Sequence, residues 1–286
     1  MTERYIAIAE PRHQLTQQET EQVPTQGGIT YREMGPADGV PILFLHGLGG
    51  GARQFTPQLD YFGAAGYRAL AWDMPGYGGS APLPLVTMDA LAAAALAFMA
   101  ALALARPVLV GHSLGGMVLL TLLAHAPHAA RAAVLSQTSA AFGGRDPAWA
   151  TQFVHSRLAP LDAGHNLAEL APGMVASMVG AGADPSGLAL AADVMGHTPA
   201  STYRDSLHAM PGFDQRASLA RIAVPTLVLA GTLDRSAPPA GMQRMAAAIP
   251  GARYAEMPGT GHLAHLENAD EFNRLVEGFV TSRVVG

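Results

Sequence analysis

The ten residues Val108-Leu109-Val110-Gly111-His112-Ser113-Leu114-Gly115-Gly116-Met117 constrain this chain more than any other stretch. A short apolar run meets a G-x-S-x-G turn, and an apolar helical run from Val118 to Ala124 follows. A chain that reverses from strand into helix this sharply leaves no room for a side chain at Gly111 or Gly115. The turn lifts the Ser113 hydroxyl clear of a sheet edge, where a base can reach it from one side and a substrate from the other. Short Gly/Ser patterns arise by chance. The placement of this one between a strand and a helix gives it its weight.

A serine hydroxyl needs a base, and the base needs an orienting acid. Pro225 to Gly231 reads as another buried strand that runs into Thr232-Leu233-Asp234-Arg235, so Asp234 falls just past a strand's C-terminal end. A helical stretch from about Ala240 to Ile249 follows, then a strand from Ala252 to Met257, the turn Pro258-Gly259-Thr260-Gly261, and His262. The chain order is Ser113, Asp234, His262. Each candidate ends a strand at the same edge of a parallel sheet, where open α/β sheets place their sites.

Taken together, these segments resemble an α/β-hydrolase over nearly the whole chain. The family's nucleophile elbow corresponds to Gly111 to Gly115, its acid position to Asp234 and its histidine loop to Gly261-His262. Its oxyanion-hole loop corresponds to His46-Gly47-Leu48-Gly49-Gly50, directly after the strand Pro41 to Leu45. Ala71-Trp72-Asp73-Met74-Pro75-Gly76-Tyr77-Gly78-Gly79-Ser80 is similar to the turn after the family's next strand. The resemblance implies a Ser113–His262–Asp234 triad, with the backbone N–H groups of Leu48 and Leu114 as the oxyanion hole.

Each of these residues has a plainer reading. Asp234 also suits a turn or a helix cap. Some family members take the acid from the preceding strand, but here that strand ends Leu135-Ser136-Gln137-Thr138, without a carboxylate. Among eleven histidines, His265 is the nearest rival to His262. His262 follows the Gly-Thr-Gly turn, whereas His265 lies in what reads as the next helical turn. The ring of His112 is expected to point into the scaffold. Gly47 to Ala52 also fits a dinucleotide-binding glycine pattern, with Asp73 placed like a ribose-binding acid. His46 before the glycines and Met74-Pro75-Gly76 after Asp73 favour the hydrolase reading, so no cofactor is expected. No His/Asp/Glu group has metal-ligand spacing, and no metal site is expected.

The alternation of strands and helices implies an α/β fold with a mostly parallel central sheet flanked by helices. Expected elements include strands from Gly28 to Met34, Pro41 to Leu45, Arg68 to Trp72, Pro107 to Val110 and Ala132 to Leu135. Helices are expected near Ala52 to Ala65 and Met88 to Ala103. After Ser136 the rhythm breaks: residues up to about Phe213 show helical patterns and no convincing strand. Leu167, Leu170, Met174 and Met178 recur at near-helical spacing. This block resembles the family's helical cap, inserted after the sixth core strand. The expected division is a core of residues 1–136 and 211–286 and a cap of 137–210. Trp149, Phe153, Met174, Met178 and Met195 are candidate pocket residues. Arg145, Arg157 and Arg204 are candidate anchors for a substrate carboxylate.

Composition narrows the class. The chain has 286 residues, 49% hydrophobic and 14% charged, which suits a large buried core. A net charge of −5 and no basic run argue against a nucleic-acid partner. With no cysteine there is neither a disulfide nor a thiolate nucleophile. Ala90 to Ala105 is apolar but small-sided and bounded by Asp89 and Arg106-Pro107, so it reads as a helix against the sheet, not a membrane span. A cytoplasmic protein with a small-molecule substrate is expected, compatible with a homo-oligomer. Residues 1 to about 27 read as an arm or an early strand.

The expected activity is hydrolysis of a small ester or lactone through an acyl-enzyme. The run from Tyr203 to Asp214 resembles 3-oxoadipate enol-lactonases. Formyl-amide or carbon–carbon bond hydrolysis, a triad-bearing ligand sensor, and a cofactor-free perhydrolase or oxygenase are the alternatives.

Overall fold

The computed structural model describes residues 2–7, 28–143 and 147–285. The elements run β1 (Thr2–Ala7), β2 (Gly28–Met34), β3 (Pro41–Leu45), α1 (Thr56–Ala64), β4 (Arg68–Trp72), α2 (Met88–Ala101), β5 (Val108–His112), α3 (Leu114–His125) and β6 (Ala132–Ser136). Four helices come next: α4 (Pro147–Asp162), α5 (Leu167–Ala176), α6 (Pro185–Gly196) and α7 (Ala200–His208). The chain closes with β7 (Thr226–Gly231), α8 (Pro239–Ala248), β8 (Arg253–Met257), α9 (Ala264–Glu267) and α10 (Ala269–Val280).

One eight-stranded sheet has the order β1-β2-β4-β3-β5-β6-β7-β8. Only β1 and β2 pair antiparallel with their neighbours; every pairing from β4 to β8 is parallel. Strands buried on both faces explain the continuous apolar runs of Leu43-Phe44-Leu45 and Val108-Leu109-Val110. The strand order reverses between β3 and β5, so the loops leaving those two strands face each other across a crevice. Those are the His46–Gly50 and Ser113 loops.

β5 and β6 each run further than the sequence reading, because their ladder continues through Gly111↔Leu135 and His112↔Ser136. The expected helix from Ala52 is two pieces: a 3-10 turn, Ala52–Phe55, and then α1, with a proline at its start. Pro57 has no N–H to extend the earlier turn but suits the first turn of a new helix. Thr87 caps α2, its hydroxyl accepting from the Ala90 N–H at 3.1 Å. The alanine run is thus a helix of 14 residues, and among the described residues no helix is long and apolar enough to cross a membrane. α3 is buried on all sides from Leu114 to Leu123, between the sheet and α2. A helix apolar all round has to be enclosed this way. That enclosure fixes the helix that begins at Ser113.

Candidate active site

Ser113 sits between β5 and α3 with φ 52° and ψ −117°, in the left-handed region that non-glycine residues seldom adopt. The neighbouring backbone enforces this. A Cβ at Gly115 would lie 2.1 Å from the Leu45 carbonyl oxygen, and one at Gly111 would lie 2.7 Å from the Gly115 carbonyl oxygen. The strained turn is held from both sides, since Ser113 N–H donates to the Ser136 carbonyl (3.0 Å) and Thr138 Oγ1 donates to the Ser113 carbonyl (2.7 Å).

Three side chains from three strand ends meet in a line. Ser113 Oγ is 2.9 Å from His262 Nε2, and His262 Nδ1 is 2.8 Å from Asp234 Oδ2. The other Asp234 oxygen accepts the N–H groups of Ser236 (2.7 Å) and Ala237 (3.0 Å). Asp234 is 4% exposed. Burial opposes its charge, but the His262 ring and those two N–H groups outweigh that and hold its pKa below the ordinary carboxylate value. An imidazole with an ionised carboxylate on Nδ1 keeps Nε2 free to accept a proton from the hydroxyl.

The loop after β3 lies across from Ser113. His46 is fully buried; its Nδ1–H donates to the Gly47 carbonyl (2.8 Å), and its Nε2 accepts from the Met74 N–H (2.9 Å). Burial lowers its pKa, which keeps the ring neutral and suits this donor–acceptor pattern. The Tyr77 hydroxyl donates to Ser206 Oγ at 3.0 Å and so ties the turn after β4 to α7. Among the described residues neither Leu48 N–H nor Leu114 N–H has a protein acceptor. Leu114 directly follows Ser113, and Leu48 lines the same cavity as Ser113.

His112 and His265 lie behind the line of three and do not join it. His112 Nε2–H donates to the His262 carbonyl at 2.8 Å, and burial drives the His112 pKa down to about 3. His265 is fully buried, its ring 4.5 Å from that of His112 and 5.0 Å from Phe55, with no partner for either nitrogen among the described residues. Asp73 is consumed structurally: one oxygen accepts from the Ala52 N–H (2.8 Å) and the other from Thr30 Oγ1 (2.8 Å). A ribose would have to displace both bonds.

Glu267 is a residue that motif reading passes over. It is buried, yet it accepts from Gly261 N–H (2.8 Å), Leu263 N–H (3.0 Å) and Gly180 N–H (2.8 Å). The first two bracket His262; the third comes from the stretch between α5 and α6. His262 N–H itself donates to the Met178 carbonyl at 2.7 Å. A Cβ at Gly261 would lie 2.2 Å from that same carbonyl oxygen. The Gly-Thr-Gly turn is therefore a place of close backbone contact, clamped by a carboxylate. The only sequence signal is an acid five residues after His262.

Ser113 and His262 open into a cavity of about 610 Å³. Trp149, Phe153, Met174, Met178 and Met195 all line it. Of the three arginines singled out, Arg157 lines the cavity and Arg145 lies outside the described residues. Arg204 does not line it; its guanidinium is paired with Asp162 at 2.5 Å. Arg235 and Arg244, not foreseen, do line it.

The sequence model of the α/β-hydrolase fold matches residues 40–269. The chain is 33% identical over 259 residues to a Variovorax paradoxus (strain S110) protein provisionally named carbamate hydrolase RutD, covering 88% of this chain and 96% of that protein. It is 31% identical over 256 residues to a pimeloyl-acyl-carrier-protein methyl ester esterase of Xanthomonas campestris pv. campestris (strain B100), covering 85% of this chain and 96% of that one. Among solved structures, the enol-lactonase from Burkholderia xenovorans LB400 is similar with a TM-score of 0.76 and 30% identity, covering 89% of this chain and 96% of that chain.

Proposed function

This chain belongs to the α/β-hydrolase fold family, and from that premise we propose that it is a serine hydrolase cleaving a small ester or lactone through an acyl-enzyme. The observation that carries the reading is the unbroken hydrogen-bonded line Ser113–His262–Asp234 opening into a cavity. His262 Nε2 takes the Ser113 proton as Oγ adds to the substrate carbonyl. Asp234 keeps the imidazole in the right tautomer and stabilises the imidazolium. The N–H groups of Leu48 and Leu114 receive the oxyanion; losing one such donor typically costs about 3 kcal/mol of transition-state stabilisation. The imidazolium then returns its proton to the leaving oxygen. Water, deprotonated by His262, releases the acid and restores Ser113.

In this reading residues 137–210 act as a cap that selects the substrate, over a core of 1–136 and 211–286. The same chemistry extends to a C–N bond, and the name of the Variovorax paradoxus relative puts carbamates in any test panel. The test is turnover by purified protein of p-nitrophenyl esters, lactones, carbamates and formamides. We expect an ester or lactone to be the best substrate, with repeated cycles. A folded protein inert to all four classes, or cycling once and stopping, would instead support a ligand sensor.

A further inference from the structure

We propose that His112 is a positioning residue: through its hydrogen bond to the His262 carbonyl, its side chain sets where the His262 imidazole stands relative to the Ser113 hydroxyl. The inference rests on the hydrolase reading for its effect on rate.

The sheet alone is a poor ruler for that distance. Ser113 leaves β5, in the middle of the sheet, whereas His262 stands in the loop after β8, at its edge. Three ladders separate the two strands, and the turn Pro258-Gly259-Thr260-Gly261 is added to them. Neighbouring strands twist against each other by amounts that vary from pair to pair, so small shifts accumulate across ladders. β8 is also the least buried of the parallel strands, with Arg253 and Glu256 exposed.

His112 supplies a much shorter path. It is the last residue of β5, one peptide bond from Ser113, and its Nε2 is 2.8 Å from the His262 carbonyl oxygen. A carbonyl can only accept, so Nε2 carries the proton and Nδ1 is bare. Nδ1 has no partner and lies beside Gly47, where a Cβ would come within 3.0 Å of it and within 3.0 Å of Ser113 Cβ. The His265 ring, 4.5 Å away, is a second neighbour of the imidazole. On the other side of the His262 Cα, the His262 N–H donates to the Met178 carbonyl at 2.7 Å. With both flanking peptide groups bonded, His262 is left only its side-chain torsions, and Asp234 holds those through Nδ1 at 2.8 Å.

The G-x-S-x-G turn itself leaves position 112 open to many residues. The bond asks for more: a rigid side chain with a neutral donor at the reach of an imidazole Nε2. The titratable groups around the ring are His46, His262, His265 and Asp234. Burial first, and then the His262 ring, lower the His112 pKa to about 3, which keeps it neutral. A cation there would oppose the imidazolium that forms on His262, since the two ring centres are 5.2 Å apart.

His112→Met and His112→Gln form the test pair. Both side chains are unbranched and close in size, but only Gln keeps an N–H near the place of Nε2. His112→Met is expected to lose roughly tenfold to a hundredfold in kcat with KM little changed, the scale of a small misplacement of a catalytic group. Labelling of Ser113 by a fluorophosphonate slows by the same factor, and His112→Gln recovers most of both rates. Equal rates in the two folded variants overturn the proposal. So does a His112→Met protein that melts earlier but keeps the wild-type kcat. If the variants do not fold, NMR of the wild-type protein labelled with ¹⁵N in its histidines decides. A neutral His112 with its proton on Nε2 from pH 5 to 9, protected from exchange, sustains the proposal; a proton on Nδ1, or a His112 that titrates in that range, overturns it. If the wild type neither turns over any ester nor labels at Ser113, it is the hydrolase reading that has failed, and the same NMR measurement still decides whether His112 holds the His262 backbone.

Discussion

The sheet edge and the helical insert over it build one cavity by different means. At the edge, Ser113 and Asp234 stand just past the ends of the buried parallel strands β5 and β7, and His262 stands in the loop after the outermost strand β8; the positions of the first two follow from ladders that cannot slip without exposing a core face. The insert contributes Trp149, Phe153, Met174, Met178 and Met195 from α4, the α5 region and α6, with no ladder to hold them. Where backbone hydrogen bonds set position, chemistry can be placed to tenths of an ångström. Where side-chain packing sets it, shape can change without breaking the machinery. The lesson is a division of labour: rate should reside in the edge and selectivity in the insert.

Substitutions can break that division or sharpen it. The largest effect is expected for Ser113→Ala, with turnover falling on the order of 10⁵-fold or more, since the members of the proposed triad would act as a unit. A steady-state assay of a folded variant checks it. Asp234→Asn should lower kcat by about 10⁴-fold with KM little changed, because the imidazole would be held in the wrong tautomer. Activity retained there but lost in Asp214→Asn would mean that the acid is misassigned.

Glu267→Gln probes the seam between the two regions. It keeps the shape but weakens three bonds to Gly180, Gly261 and Leu263. A roughly tenfold to hundredfold loss of kcat is expected, the scale of a small misplacement of a catalytic group. A merely structural role would lower the melting temperature and leave kcat alone. Phe153→Ala should raise KM roughly tenfold for a fitting substrate while shifting kcat less, as an apolar contact shared by ground and transition states would.

The smallest effects concern the stability supplied by the histidines behind the Ser113–His262–Asp234 line. His265→Phe keeps the stack on Phe55 and removes two buried nitrogens without partners, so stability should hold or rise. Burial lowers the pKa of His46, His112 and His265 below 6.5. The unfolded chain therefore binds more protons than the folded one as pH drops below that value. Their contribution to stability is full above about pH 6.5 and is lost progressively on acidification. Melting curves at pH 8, 6 and 5 should show a falling midpoint, with a shallower fall in His265→Phe.

Much of the edge was legible in the sequence because its chemistry is local. A strand, two obligatory glycines and a serine lie within ten residues, and Asp234 and His262 each sit in the short loop that leaves a recognisable strand. The sheet itself was legible from runs such as Val108 to Val110, which make sense only when buried on both faces. The features that escaped depend on distant partners. Glu267 draws its meaning from Gly180, 87 residues away, a contact that no spacing rule encodes. Arg204 looked as free as Arg157 until the fold set Asp162 beside it. Arg235 follows Asp234 directly and Arg244 lies on α8, and that both line the cavity shows only once the chain is folded. The 3-10 turn before α1 was missed, although Pro57 marks the place where a single helix from Ala52 would have to run through a proline.

The account stands on Ser113 being a nucleophile activated by His262, and covalent labelling tests that most directly. Native protein treated with a fluorophosphonate, digested and mapped by mass spectrometry should carry one adduct, on Ser113, formed quickly in wild type and His265→Phe and orders of magnitude more slowly in His262→Ala. An adduct on another serine, or labelling of Ser113 at the same rate without His262, would contradict it.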